Sequence, residues 1–183
     1  MLGFYNLWLI LVIIGAFAWI VMEIADKLRG VRIENKEDHR NIRVTIVSII
    51  PLLLFFGITV FTPIVTGALF WIGCILIIVS GIVYILSILA FVKPKRGLTT
   101  IGIYKVSRNP MYVAMFLIFI GFVLMAWQFS LARGILMITI TIFNIIATHW
   151  MVLGEERFLS KKYGDAYREY MNKVPRYIGI RGG

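Results

Sequence analysis

Along this chain apolar residues collect in long blocks, and polar residues fall between them. Five blocks, at residues 2–22, 44–61, 68–92, 110–127 and 131–153, approach or exceed the length needed to cross a bilayer. That crossing takes about 20 apolar residues in a helix, for a hydrocarbon core of roughly 30 Å. The pattern predicts an all-α fold: a polytopic membrane helix bundle with five transmembrane helices, continued by a short helical tail over 154–183. A single integral membrane domain over 1–183 accommodates all of it. The first block has no basic start and no small-residue cleavage site after it, so it is expected to stay as a span. The last two blocks are almost contiguous and must form a tight antiparallel hairpin. Arg133 stands close enough to the start of the second to snorkel. Pro51 is expected to kink the second span. Gly73, Ser80 and Ser87 recur every seven residues on the third and suit close helix packing.

Composition agrees: 60% of the residues are hydrophobic and 15% charged, with mean hydropathy +0.89. Ordinary soluble domains are about half apolar and a quarter charged. The lone cysteine, Cys74, excludes an intramolecular disulfide and a thiolate metal cage, and no metal is expected. The formal charge of +10 acquires meaning from its placement. All but Arg133 of the 19 lysines and arginines fall in the first and third loops and the tail. By the positive-inside rule, the amino terminus is outside and the carboxyl-terminal tail cytoplasmic. The basic excess is thus a topology signal first and an attraction to membrane lipids second. No nucleic-acid partner is expected.

Polar chemistry concentrates at the cytoplasmic mouth. The stretch 93–112 holds two glycines, two prolines, two tyrosines and five basic residues. Asn109 before Pro110 reads as an N-cap and first-turn pair, with free amides suited to an anion. On the fifth span Asn144, Thr148 and Glu155 share one helix face, with Thr141 near it, while His149 and Glu156 share another. Intramembrane polar residues face protein or a cavity, either as interhelical hydrogen-bond partners or as functional groups. The Glu155-Glu156 pair at the membrane exit could simply be solvated, but Glu155 continues the stripe, whereas Glu156 points about 100° away and is expected to matter less. In the tail, Phe158, Tyr163, Tyr167, Tyr170 and Tyr177 stand among basic residues, and Gly164-Asp165 reads as a break between two short interfacial helices. That tail could anchor to the membrane or cover a cytoplasmic site.

The order Gly-Ile-Tyr104, Arg-Asn-Pro-Met-Tyr112, helical hairpin, Glu155-Glu156, Tyr-Gly-Asp-Ala-Tyr167 and Val-Pro-Arg176 resembles the isoprenylcysteine carboxyl methyltransferase and phospholipid methyltransferase families. The resemblance covers roughly residues 96–177. It implies an integral membrane methyltransferase that uses S-adenosylmethionine and acts on a lipophilic small molecule or lipid. It places the cofactor loop on Arg96, Gly97, Leu98 and Thr99. Further cofactor contacts fall on Tyr104, on the block Asn109, Pro110, Met111 and Tyr112, and on Glu155. Arg108, Asn109 and His149 are the candidate catalytic residues, His149 as a base. Arg108 or the amides opening span four are candidates for the cofactor's carboxylate. Two departures stand out: Asn109 occupies the place of the family's usual histidine, and Arg96 that of another. Met151 stands where the carboxyl methyltransferases place a substrate-binding arginine, which argues against an acceptor carboxylate. The rival readings are an NADPH-dependent sterol-type reductase, which would need more spans, and a non-enzymatic helical scaffold or transporter subunit.

Overall fold

The computed structural model describes residues 5–29, 42–94 and 97–179. Its elements are α1 (Trp8–Arg29), α2 (Ile42–Val60), α3 (Ala68–Val92), a 3-10 turn (Gly102–Lys105), α4 (Pro110–Phe129), α5 (Leu131–Tyr163) and α6 (Asp165–Lys173). Among the described residues the fold is all-helical. The exception is one isolated antiparallel pairing, Asn6 with Pro63. There Leu7 N–H donates to the Thr62 carbonyl and Ile64 N–H to the Tyr5 carbonyl, both at 2.9 Å. The Asn6 side chain donates to the Val60 carbonyl. These bonds occupy groups at the two helix ends that have no partner within their own helix, and they join the start of α1 to the end of α2.

Helices α1, α3, α4 and α5 are long and apolar enough to cross a membrane, and the apolar stretch described in α2, Ile49–Val60, is shorter. The surface matches: Ile13, Trp19, Leu53, Trp71, Ile78 and Phe143 are all exposed. An apolar belt of that extent belongs in lipid.

The central pair is α3 with α4. The Gly73 and Gly121 backbones meet so closely that a Cβ on Gly73 would lie 2.6 Å from the Gly121 carbonyl oxygen. Ser80 Oγ donates to the Ala114 carbonyl across the same contact at 2.7 Å. Gly73, Ser80 and Ser87 are all buried, as the seven-residue stripe predicts. Phe55 of α2 packs its ring 4.9 Å from Phe119 and 5.8 Å from Phe122. α2 runs through Pro51, whose carbonyl accepts from Asn144 Nδ2 of α5 at 3.2 Å. Asn144 is therefore interhelical glue.

The hairpin between α4 and α5 turns on Ser130 alone, which closes one helix and caps the next by accepting from Arg133 N–H. α5 departs from expectation. It does not stop near 153 but runs for 33 residues, about 50 Å. Loss of apolarity at Gly154 ends the membrane-compatible stretch without ending the helix, because 155–163 contains good helix formers. The stop comes at Gly164, where φ is +55°. The first of the two expected tail helices is thus the protruding end of α5, and only α6 is separate.

Candidate active site

A cavity of about 870 Å³ opens among α1, α3, α4, the end of α5, α6 and the loop after α3. Its walls divide by chemistry. Ile13, Ile14, Phe17 and Met22 of α1, Ile77 of α3 and Met115 and Ile118 of α4 make an apolar arm between the helices. The other end is polar and built from loop and helix termini. Gly97, Leu98, Thr99 and Tyr104 line it from the loop, and residues Arg108, Asn109, Pro110, Met111 and Tyr112 line it from the start of α4. Glu155 and Tyr163 come from α5, and Tyr167 and Tyr170 from α6.

An ionic lock closes the polar end. Glu156 is 5% exposed. One of its oxygens accepts from Arg176 Nε at 3.0 Å and Nη2 at 2.9 Å. The other lies 3.2 Å from Arg108 Nη2. Arg108 Nη1 donates to the Met171 carbonyl at 2.9 Å, and its backbone N–H donates to the Pro175 carbonyl. Asn109 Nδ2 donates to the Arg176 carbonyl at 3.2 Å and to Glu156 at 3.4 Å. Tyr170 OH donates to the Tyr104 carbonyl at 2.6 Å. Together these bonds pin the tail onto the start of α4. The Glu156 carboxylate holds the Arg176 guanidinium above its ordinary value by accepting its hydrogen bonds.

Two expectations change here. Glu156 is not solvated but sits at the centre of the lock, because α5 continues as a helix and carries it inward. Asn109 does not cap α4 with its side chain, which reaches instead to Glu156 and the tail. The first-turn amides of Tyr112 and Val113 donate to the Asn109 carbonyl. Most polar atoms of Arg108 and Asn109 are thus engaged within the protein, while Arg108 Nε is buried without a hydrogen-bond partner.

The neighbouring acid is different. Glu155 lines the cavity and accepts from Tyr112 OH at 2.7 Å. Burial holds the Tyr104 phenol well above its ordinary range, with Arg29 opposing and Glu155 reinforcing the shift. Burial does the same for Tyr167 and Tyr170. These phenols are protonated at neutral pH. Thr99 is 7% exposed and its hydroxyl has no hydrogen-bond partner.

Gly97, Leu98, Thr99, Tyr104, Arg108 to Tyr112 and Glu155 therefore border one space. His149 does not border it: its Nδ1 lies 3.2 Å from Tyr177 OH, whose pKa burial pushes up to about 12. Met151 is also absent from the cavity wall. The identity of the residue at 151 therefore carries little weight on what the cavity accepts. Arg96 lies outside the described residues. Sequence reasoning missed the α1 wall, including Asp26 and Arg29. The signal was present as Ala18, Met22, Asp26 and Arg29, spaced four, four and three residues apart on one helix face.

The structure is that of a multi-pass helical membrane bundle with a cavity that is polar at one end and apolar between its helices. The model of the phospholipid methyltransferase family matches residues 62–166, and the chain belongs to that family, a membrane methyltransferase by class. An uncharacterized protein of Haemophilus influenzae is 32% identical over 68 residues, covering 37% of this chain and 100% of that protein. No solved structure gives a significant match.

Proposed function

We propose that the protein transfers a methyl group from S-adenosylmethionine to a lipophilic acceptor that enters from the bilayer. The observation that carries this reading is the cavity itself: one end is apolar and lined by helices α1, α3 and α4, and the other is polar and carries Glu155. The donor set fits the cofactor. The Glu155 carboxylate, oriented by Tyr112 OH, would take the cofactor's ammonium through a charge-assisted bond. The buried, unpartnered Thr99 hydroxyl suits a polar atom of a bound ligand, whether cofactor or acceptor. Tyr104 and Tyr112 supply aromatic surface for adenine or for a cation. When bound, the cofactor supplies an electrophilic methyl group on its sulfonium. The protein's part is then to bring acceptor and methyl into line and keep water out.

His149 stands off the cavity and the buried phenols keep their protons. The reading therefore favours an acceptor whose attacking atom is nucleophilic without help from a base. A prenylcysteine-like carboxylate, a phospholipid amine that arrives already deprotonated, or another small lipophile with a free lone pair belongs to that class. Membrane lipids are the expected surroundings. The proposed topology has five spans, with α2 as the fifth, the amino terminus outside and the tail cytoplasmic.

Cofactor affinity tests the reading. Detergent-purified protein is expected to bind S-adenosylhomocysteine in calorimetry. Glu155→Gln should weaken that binding by about one to two orders of magnitude, since a hydrogen bond to a charged group contributes roughly 1.5–3 kcal/mol. Failure of the unaltered protein to bind would reject the assignment.

A further inference from the structure

Arg29 closes α1 and is only 3% exposed. Its Nη2 donates to the Gly97 carbonyl at 2.8 Å, and its guanidinium stacks 3.9 Å from the centre of the Phe91 ring. Those two contacts fix its plane. Nε and Nη1 are buried yet have no hydrogen-bond partner, and the residue lines the cavity. Thr99 Oγ1, on the loop two residues beyond Gly97, lines the same cavity and is likewise buried without a partner. A buried guanidinium with idle donors is costly to keep unless a ligand completes it.

We propose that Arg29 and Thr99 form an oxyanion subsite of the cavity, contributed by α1 and the loop after α3. The family match begins at residue 62 and does not include α1. Arg29 binds the anionic group of a ligand, phosphate or carboxylate, through the N–H groups of its idle Nε or Nη1, which lie on different edges of the guanidinium. Thr99 adds a hydroxyl donor. The apolar arm runs along the same helix from Arg29 by way of Met22, Phe17 and Ile13. An amphiphile whose tail lies in that arm sets its anionic headgroup against Arg29, so the acceptor is the expected source of the oxyanion. The cofactor's carboxylate is the other source with this chemistry. The inference deepens the methyltransferase reading and rests on it for the reaction, but the subsite can be tested without turnover.

Binding to the full chain in a neutral maltoside detergent is the test, with dodecyl phosphate and dodecanol as probes beside S-adenosylhomocysteine. The unaltered protein should bind dodecyl phosphate about tenfold or more tighter than dodecanol. Arg29→Gln keeps an amide donor for the Gly97 carbonyl and should erase that preference, while Arg29→Lys keeps part of it. Thr99→Val preserves volume, is expected to fold, and should narrow the preference if Arg29→Gln does not fold. With Arg29→Gln, S-adenosylhomocysteine affinity should stay within about twofold. If it falls instead while dodecyl phosphate binding holds, the subsite stands and its oxyanion is the cofactor's carboxylate. Arg29-dependent binding of dodecyl phosphate without any binding of S-adenosylhomocysteine keeps the subsite and removes the methyltransferase reading. Unchanged binding of all probes in both Arg29→Gln and Thr99→Val overturns the proposal.

Discussion

Glu155 and Glu156 are adjacent in sequence and about 100° apart around α5, and that angle assigns them to different work. Glu155 lines the cavity and accepts from Tyr112 OH, whereas Glu156 is clasped by Arg108 and Arg176. Removing the charge from Glu156 leaves two guanidinium groups facing each other over a neutral amide. Breaking a buried pair from one side costs roughly 3–5 kcal/mol. The Arg176 side chain is 34% exposed, and solvent screens its share. Glu156→Gln should therefore lose about 3 kcal/mol, read as a lower melting temperature of the unliganded protein in detergent. A melting temperature equal to that of the unaltered protein would show that the lock contributes little. The sequence places both acids at the exit of a span, and periodicity picks out Glu155 because it continues the stripe of Asn144 and Thr148. Nothing local reveals Glu156's partners, because Arg176 is 20 residues away and arrives only when the tail folds back. Arg29 was hidden for a related reason: among many loop cations, its burial depends on Phe91 and Gly97, which are remote in sequence.

At the scale of the helices, the most closely fitted contact is the crossing of α3 and α4. The apolar block and its small-residue stripe make α3 legible from the sequence, including the face it packs with. Its counterpart on α4 was not legible, because a lone Gly121 in an apolar run has no period to mark it. A side chain at Gly73 would meet the Gly121 backbone, which cannot rotate aside as a side chain does. Gly73→Ala must push the helices apart at the Ser80 to Ala114 hydrogen bond, and overpacking of that kind costs about 1–3 kcal/mol. Gly15 of α1 has open space around its Cβ position, so Gly15→Ala is the matched control and should be neutral or slightly stabilising. Thermal melting of the two variants side by side checks the contact, and equal melting would mean that α3 and α4 are not held this closely. The end of α5 teaches a different lesson. Apolarity and helicity stop at different residues, and only the Gly164-Asp165 signal marks where the helix ends. Hydropathy finds the membrane boundary, while backbone conformation finds the helix boundary.

Across the whole molecule, the open question of span number turns on α2. The start of α1 and the end of α2 are hydrogen-bonded to one another, so they lie at the same end of the bundle. Arg29, at the other end of α1, meets Gly97 of the loop after α3. α2 has 19 residues, about 28 Å of helix, which is close to the thickness of a hydrocarbon core. Its Pro51 carbonyl meets Asn144, buried within spanning helix α5. A helix that ends beside the start of α1 and packs along α5 has the length to return across the bilayer, as the proposed five-span topology requires. In the proposed topology the positive-inside rule sets the direction: the side holding Arg133 alone would face outward, and the side with the other basic residues the cytoplasm. The check is labelling of single cysteines at Lys36, Thr66 and Lys173, in a background in which Cys74 is replaced by serine, in intact cells. Thr66 and Lys173 are exposed, so their labelling reports sidedness and not burial. A membrane-impermeant maleimide should label position 66 from outside, and positions 36 and 173 only after the cells are opened. Labelling of 36 and 66 from the same side would mean that α2 does not cross. Labelling of 173 from outside would reverse the orientation and put the polar end of the cavity away from the cytoplasmic cofactor supply.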